Sequence, residues 1–493
     1  MEGKTMKSFK FVCIFSGIAF FGYQCNNYGS DPLQTQAVTA TTPTCFNCHG
    51  ENTVTGNKVQ WAQAGWGESV HANGIQAQIF ASYWSGAANV WYVAGYEWHG
   101  SDAFYSNGGG CQICHTKEGF LKKINGDYGT VNWTTTSAFS VAIAADSIAN
   151  PTRLTCFTCH APHERANFTL NVDPTTVVTT QTGAVYNKTK GSLCASCHQI
   201  RLSGYATANA YILSQVVAGS IKTTSSTWGP HHGPQTDLLM GKGGAEYTAK
   251  VYTNATHTTN PDANCVNCHM ADDFANQDPL VRYSLSPAVG GHSMAVSGIV
   301  HGVPAANKAG CTYSTCHLGQ TLTGKAFGGS GAIAANGYLA KDKAYIDKTG
   351  GSGTTSVTHF AQINGLMKLL ADPAASCTGL LQTTFNTITA GSVKWTLMPD
   401  GVAYPTTTAL NAPTCIHNGF TVNMAANAGA TDISNETRFA KAVWNFKLII
   451  EDKSLGLHNS VYALELLYDS CTDLKAYTGG AQDCTLGATY TRP

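Results

Sequence analysis

Charged side chains make up only 12% of this 493-residue chain, about half the share of a typical soluble protein. Lysine plus arginine and aspartate plus glutamate number 29 each, so the net charge is zero. With no charge excess and no long basic run, nothing favours nucleic acid, an anionic membrane surface or a strongly charged partner. Methionine is scarce at eight residues, and Met1 and Met6 belong to the N-terminal leader. Long apolar runs are missing too. The apolar stretch Phe11 to Tyr23 is shorter than the about 20 residues a membrane-spanning helix needs. Lys7 and Lys10 precede it and no stop-transfer pattern follows, so residues 1–25 are expected to be a cleaved export signal. Cys25 stands where a lipoprotein cysteine would, although Gly22, Tyr23 and Gln24 match that signal poorly. Membrane attachment is therefore expected only through an N-terminal lipid on Cys25.

What the chain does have is cysteine, 18 residues, in a pattern. Five C-x-x-C-H motifs run Cys45/Cys48/His49, Cys111/Cys114/His115, Cys156/Cys159/His160, Cys194/Cys197/His198 and Cys265/Cys268/His269. A longer relative, Cys311/Cys316/His317, has four residues between its cysteines. Two thiols one turn apart can add to the two vinyl groups of one porphyrin, and the next histidine then meets the iron. A C-x-x-C pair is also half of a zinc site, and the fixed histidine decides between the two. Histidine is 17 of 493 residues. At random it would follow all five pairs with odds of about one in twenty million. The expectation is six covalently attached haem c groups. The plainer reading of the sixth motif is a disulfide beside an incidental His317.

Beyond the motif histidines there are His71, His99, His163, His231, His232, His257, His292, His301, His359, His417 and His458, enough for a second ligand on every iron. Two imidazoles saturate the metal and favour electron transfer, whereas an open position favours chemistry at the iron. His163, three residues after His160, cannot reach the far face of the same haem and should ligate a neighbour. His231 and His232 lie between Gly229-Pro230 and Gly233-Pro234, and only one is expected to bind. His292 follows Gly290 and Gly291, which let the backbone come close to a flat cofactor. His71, His99, His257 and His458 complete the distal set. The plainer reading of each is an exposed or hydrogen-bonded histidine. His301, His359 and His417 are weaker candidates.

The expected fold class is a multihaem cytochrome c, mostly irregular, with short α-helices around a haem chain, few strands and a C-terminal helix pair. Residues 26–319 form the hexahaem core, with the cofactors themselves as its interior. Aromatic clusters such as Tyr83-Trp84 and Trp91-Tyr92 would line haem edges or simply pack. Residues 320–430, glycine- and threonine-rich, read as a haem-free appendage of loops or strands. Residues 431–493 read as helical and packed back on the core, two helices flanking His458. Cys377, Cys415, Cys471 and Cys484 are left over. In an oxidising compartment they suggest two disulfides with three open pairings, stapling the 320–430 segment among others.

The contexts Cys111 to Phe120, Trp228 to Gln235, Cys265 to Met270, Gly290 to Met294 and Gly456 to Tyr462 resemble those of bacterial outer-surface multihaem cytochromes, a group that includes nanowire-forming members. The resemblance covers most of residues 45–320 and about 435–470. It implies export, bis-histidine haems in a close chain and distal roles for His231 or His232, His292 and His458. The sixth motif and residues 320–430 depart from the pattern, which leaves filament formation open.

The leading functional expectation is a non-enzymatic electron conduit at the extracellular or outer-membrane surface, with the periplasm as the alternative. Its partners would be other cytochromes or redox partners, a mineral or electrode as extracellular acceptor, and further copies of the chain if it polymerises. The competing reading is a multihaem reductase of nitrite, hydroxylamine or a sulfur oxyanion with one open haem, and a third is a haem-bearing adhesin or structural filament.

Overall fold

The computed structural model describes residues 62–67, 69–73, 84–85, 90–93, 96–98, 112–125, 154–161, 169–202, 205–217, 229–230, 233–271, 289–300, 303–306, 310, 359–371, 379–389, 396–399, 420–423, 433–454, 456–487, 490 and 492. The chain divides into two compact units, Met1–Ala64 and Gly65–Pro493. Every element discussed below belongs to the second.

Helices carry the architecture. They are α1 (Val70–Asn73), α2 (Gln112–His115), α3 (Lys117–Asn125), α4 (Cys156–Cys159), α5 (Ser192–Cys197), α6 (Ala208–Val217), α7 (Gln235–Leu239), α8 (Thr256–Thr259), α9 (Cys265–His269), α10 (His359–Leu370), α11 (Leu380–Thr389), α12 (Ile433–Asp452) and α13 (Ser460–Thr478). Among the described residues strands are few and short, in antiparallel pairs such as His160–Ala161 with Thr169–Leu170 and Ser297–Val300 with Val303–Ala306. One three-stranded ribbon joins Trp84–Ser85, Val90–Val93 and Tyr96–Trp98. Ribbons this small cannot bury a core of their own.

The core is helical. Ile363, Leu366, Met367 and Leu370 recur at helical spacing along α10 and are all buried. They meet Leu380 and Leu381 of α11, Phe439, Val443, Trp444 and Leu448 of α12, and Leu464, Leu466 and Leu467 of α13. Ile212 and Val216 of α6 and Ile200 and Leu202 extend the same cluster. Trp444 is wholly enclosed, and its indole N–H donates to the carbonyl oxygen of Gly243 at 2.8 Å.

An ordinary apolar core thus gathers around α12 and α13. Within 320–430, where loops or strands were expected, the described residues include the helices α10 and α11, and both are built into that core. The glycine-rich flanks draw attention away from a short amphipathic period that only a partner helix can bury. A disulfide joins Cys471 in α13 to Cys484, so the staple lies within the last sixty or so residues. Cys377 and Cys415 lie outside the described residues. Among the described residues no helix is long and apolar enough to cross a membrane.

Candidate haem-ligand pairs

Four motifs sit on single helical turns, α2, α4, α5 and α9. A helical turn places residues three apart on one side, so the two thiols of motifs three, four and five face the same way. In motif five the turn is capped by Asn264, whose side chain accepts from the backbone N–H of Asn267 at 2.9 Å. Cys114, Cys156, Cys159, Cys194, Cys197, Cys265 and Cys268 are thiols outside any disulfide.

Three motif histidines face a second histidine. His198 meets His71 with ring centroids 5.8 Å apart and planes at 78°. His160 meets His292 at 6.1 Å and 34°, and His269 meets His458 at 6.2 Å and 31°. The pairing has a metal-sized gap. An imidazole nitrogen binds a transition metal at about 2 Å, so two rings sharing one ion have centroids on the order of 6 Å apart. Among the described residues no three His, Cys, Asp or Glu side chains gather as a metal cluster. A zinc site needs four donors, and the paired rings are instead what two axial positions require.

The rings are held from behind. His198 Nδ1 lies 2.9 Å from Gln235 Oε1, His269 Nδ1 is 2.9 Å from the carbonyl oxygen of Met294, and His458 Nδ1 is 2.6 Å from Asp452 Oδ1. An acceptor at Nδ1 keeps the proton there and leaves the Nε2 lone pair for a metal. The local chain conformations explain how each ring arrives. Gly290 and Gly291 have φ of 74° and 51°, a region open to glycine and strained for other residues, and they lead into the 3-10 turn Gly291–Ser293 that carries His292. His458 stands between α12 and α13, where Asn459 caps α13 by accepting from Tyr462 N–H. Trp66 stacks against His71 at 6.0 Å.

Electrostatics favours neutral rings at two of these positions. Burial, with His458 nearby, pushes His269 down to about 4, and burial together with His160 lowers His292. At His458 burial also acts downward, but the Asp452 carboxylate outweighs it and the net shift is upward.

The motifs crowd together. The Cys114 and Cys197 side chains are neighbours, as are those of Cys194 and Cys265, which places motif two beside four and four beside five. Lys123 of α3 donates to the carbonyl oxygen of Ser196 in α5. A Cβ added at Gly310, the residue before motif six in sequence, would come within 2.5 Å of the Cys268 carbonyl oxygen, so Gly310 lies against motif five. The Tyr186 hydroxyl touches the Cys265 sulfur at 3.4 Å and donates to the Lys190 carbonyl at 2.5 Å.

Of the remaining expected ligands, His257 lies on α8 with Nδ1 2.8 Å from the Leu457 carbonyl oxygen. His359, at the start of α10, is exposed and has Nδ1 2.7 Å from Ser460 Oγ. Cys45, Cys48, His49, His99, Cys111, His163, His231, His232, His301, Cys311, Cys316, His317, His417, Cys25 and the side chain of His115 lie outside the described residues. Sequence reasoning did not find Gln235, Asp452 or the Met294 carbonyl. Asp452 is six residues before His458 and joins it only because the chain turns at the end of α12.

Residues 23–209, which hold the first four motifs, match the family described as outer membrane cytochrome MtrC/MtrF-like, domains II/IV. Over that span the chain is similar to this family of outer membrane cytochromes, in line with the resemblance to outer-surface multihaem cytochromes. No curated protein and no solved structure matches the chain.

Proposed function

We propose that this protein is a six-haem c-type electron conduit working at the outer surface of a bacterial cell. The observation that carries the reading is the approach of His160, His198 and His269 to a second histidine at 5.8–6.2 Å. The donor set fits the group: paired thiols on one helical side, a following histidine backed by an acceptor at His198 and His269, and an opposing imidazole, backed by Asp452 at His458. When bound, haem iron supplies reversible one-electron chemistry.

The chain's own residues do the rest. The motif cysteines tether, and His160, His198 and His269 are the proximal ligands of motifs three, four and five. His292, His71 and His458 would supply the second ligand in that order and so would keep small ligands away from the metal. This favours transfer over a reductase, which needs an open position. The nearness of motifs two, four and five supports a relay with short steps. By extension Cys45, Cys48 and His49, Cys111 and His115, and Cys311, Cys316 and His317 serve the remaining haems, with His99, His163, His257 and one of His231 and His232 as further distal ligands. Partner cytochromes and an extracellular acceptor such as a mineral or electrode are the expected exchange partners. Assembly into a homopolymer and a lipid on Cys25 belong to the same proposal.

Intact mass of natively matured protein together with its optical and EPR spectra tests this. Six haem adducts and an all low-spin spectrum that does not respond to carbon monoxide are expected. Fewer adducts, or a large high-spin fraction that binds carbon monoxide, would reject the bis-histidine conduit.

A further inference from the structure

The acceptors behind the paired histidines differ in charge. His198 has a neutral amide, Gln235, and His269 has a backbone carbonyl, whereas His458 has the carboxylate of Asp452. That carboxylate is buried, with a side-chain exposure of 0%. It is also held independently of His458, because the backbone N–H and the hydroxyl of Ser454 both donate to Asp452 Oδ2. The lysines of this region are turned to other acceptors. Lys453 points to Glu451 at 3.9 Å, and Lys188, near Cys265 and Cys268, donates to the carbonyl oxygens of His257, Thr258 and Asn260.

Gln235 reaches across from one pair to the other. Its Oε1 is the acceptor for His198, while its Nε2 donates to the carbonyl oxygens of Glu451 and Asp452, each at 3.3 Å. The two histidine pairs are thus joined by a single side chain, with a neutral group behind one ring and an anion behind the other. The Cys194 and Cys265 thiols, one from each motif, are neighbours.

We propose that Asp452 sets a redox step between these neighbouring sites, making the one held by His269 and His458 the more reducing and leaving the one held by His198 and His71 more easily reduced. The inference rests on the bis-histidine reading above. A carboxylate accepting the Nδ1 proton makes an imidazole a stronger donor to its metal. In a site shielded from water the same negative charge disfavours adding an electron. Both effects lower the potential. One-electron exchange between the two sites is then downhill from motif five to motif four. Asp452 acts through His458 and is a positioning and tuning residue, not a ligand.

The test is a potentiometric titration of the haem-loaded full chain, with dithionite as reductant and ferricyanide as oxidant, on wild type, Asp452→Asn, Asp452→Glu and Gln235→Glu. Asparagine retains an oxygen for the His458 Nδ1 proton and removes the charge. It should raise one low-potential component by about 59 mV, a tenfold shift in its oxidised-to-reduced ratio, and glutamate at 452 should restore it. Gln235→Glu places a carboxylate behind His198 and should lower a different component by a similar amount. The proposal is overturned if Asp452→Asn keeps the wild-type haem mass and low-spin spectrum and every potential is unchanged. Should Asp452→Asn lose low-spin ligation, Gln235→Glu decides, and an unmoved potential there also overturns it. Failure of the underlying reading is distinguishable, because wild type would then lack haem adducts or be high-spin before any variant is made.

Discussion

Asp237 accepts a hydrogen bond from the backbone N–H of Ile200 at 2.6 Å, two residues beyond His198. Its other oxygen accepts from the hydroxyls of Thr180, at 2.6 Å, and Thr182. The residue is fully buried. Together these bonds tie the segment after motif four to α7, the helix that carries Gln235.

A pH dependence follows from that burial. It pushes the Asp237 carboxyl up to about 6, against the hydrogen bonds from Thr180, Thr182 and Ile200. An unfolded aspartate ionises near pH 4. From about pH 4 to about pH 6 the unfolded chain has lost a proton that the folded chain keeps. The contribution of this residue to stability therefore declines as pH rises through that window, by on the order of 3 kcal/mol, and is level above it. Urea unfolding at stepped pH should show Asp237→Asn losing this decline relative to wild type. Identical slopes in the two proteins would refute it.

The ring planes predict two spectroscopic classes. His71 and His198 are nearly perpendicular at 78°, whereas the other two pairs lie at 31° and 34°. Ring orientation sets the splitting of the iron d orbitals, so frozen-solution EPR should contain one strongly anisotropic low-spin signal beside rhombic ones. His71→Ala should remove the anisotropic signal, create one high-spin haem that binds carbon monoxide, and leave the haem mass intact because the thioethers are untouched. Loss of a rhombic signal in its place would show that His71 serves another site.

Leu366 is completely buried on α10 against α13 and its neighbours. Truncation to alanine in such a site costs about 2–5 kcal/mol. Leu366→Ala should lower the denaturation midpoint by that amount with an unchanged haem spectrum. A loss under 1 kcal/mol would mean that the helical core contributes little beside the cofactors.

The Cys471–Cys484 bridge spans a sequence separation of 13. A loop of this size contributes about 3 kcal/mol by restricting the unfolded chain. The double variant Cys471→Ser, Cys484→Ser should be destabilised by about that much without altering haem content. An altered count would show that these cysteines take part in tethering.

Much of the site was visible in local spacing. The tether cysteines and proximal histidines are adjacent in the chain, and a three-residue separation is read by one helical turn. The two C-terminal helices were visible in their apolar period. What could not be read locally was the role of α10 and α11, where Ile363, Leu366, Met367 and Leu370 carry a helical period too short to be decisive beside glycine-rich flanks.

The proposed cofactor, a covalently held haem, is read from contiguous residues, because the tethering chemistry needs two thiols on a single turn and an imidazole directly after them. Which histidine faces which motif is not encoded that way. His71 reaches motif four, His292 motif three and His458 motif five from more than a hundred residues away, and such pairing depends on how the helices pack. The charge behind each ring follows the same rule: Gln235 and Asp452 acquire their roles only where α7 meets the end of α12.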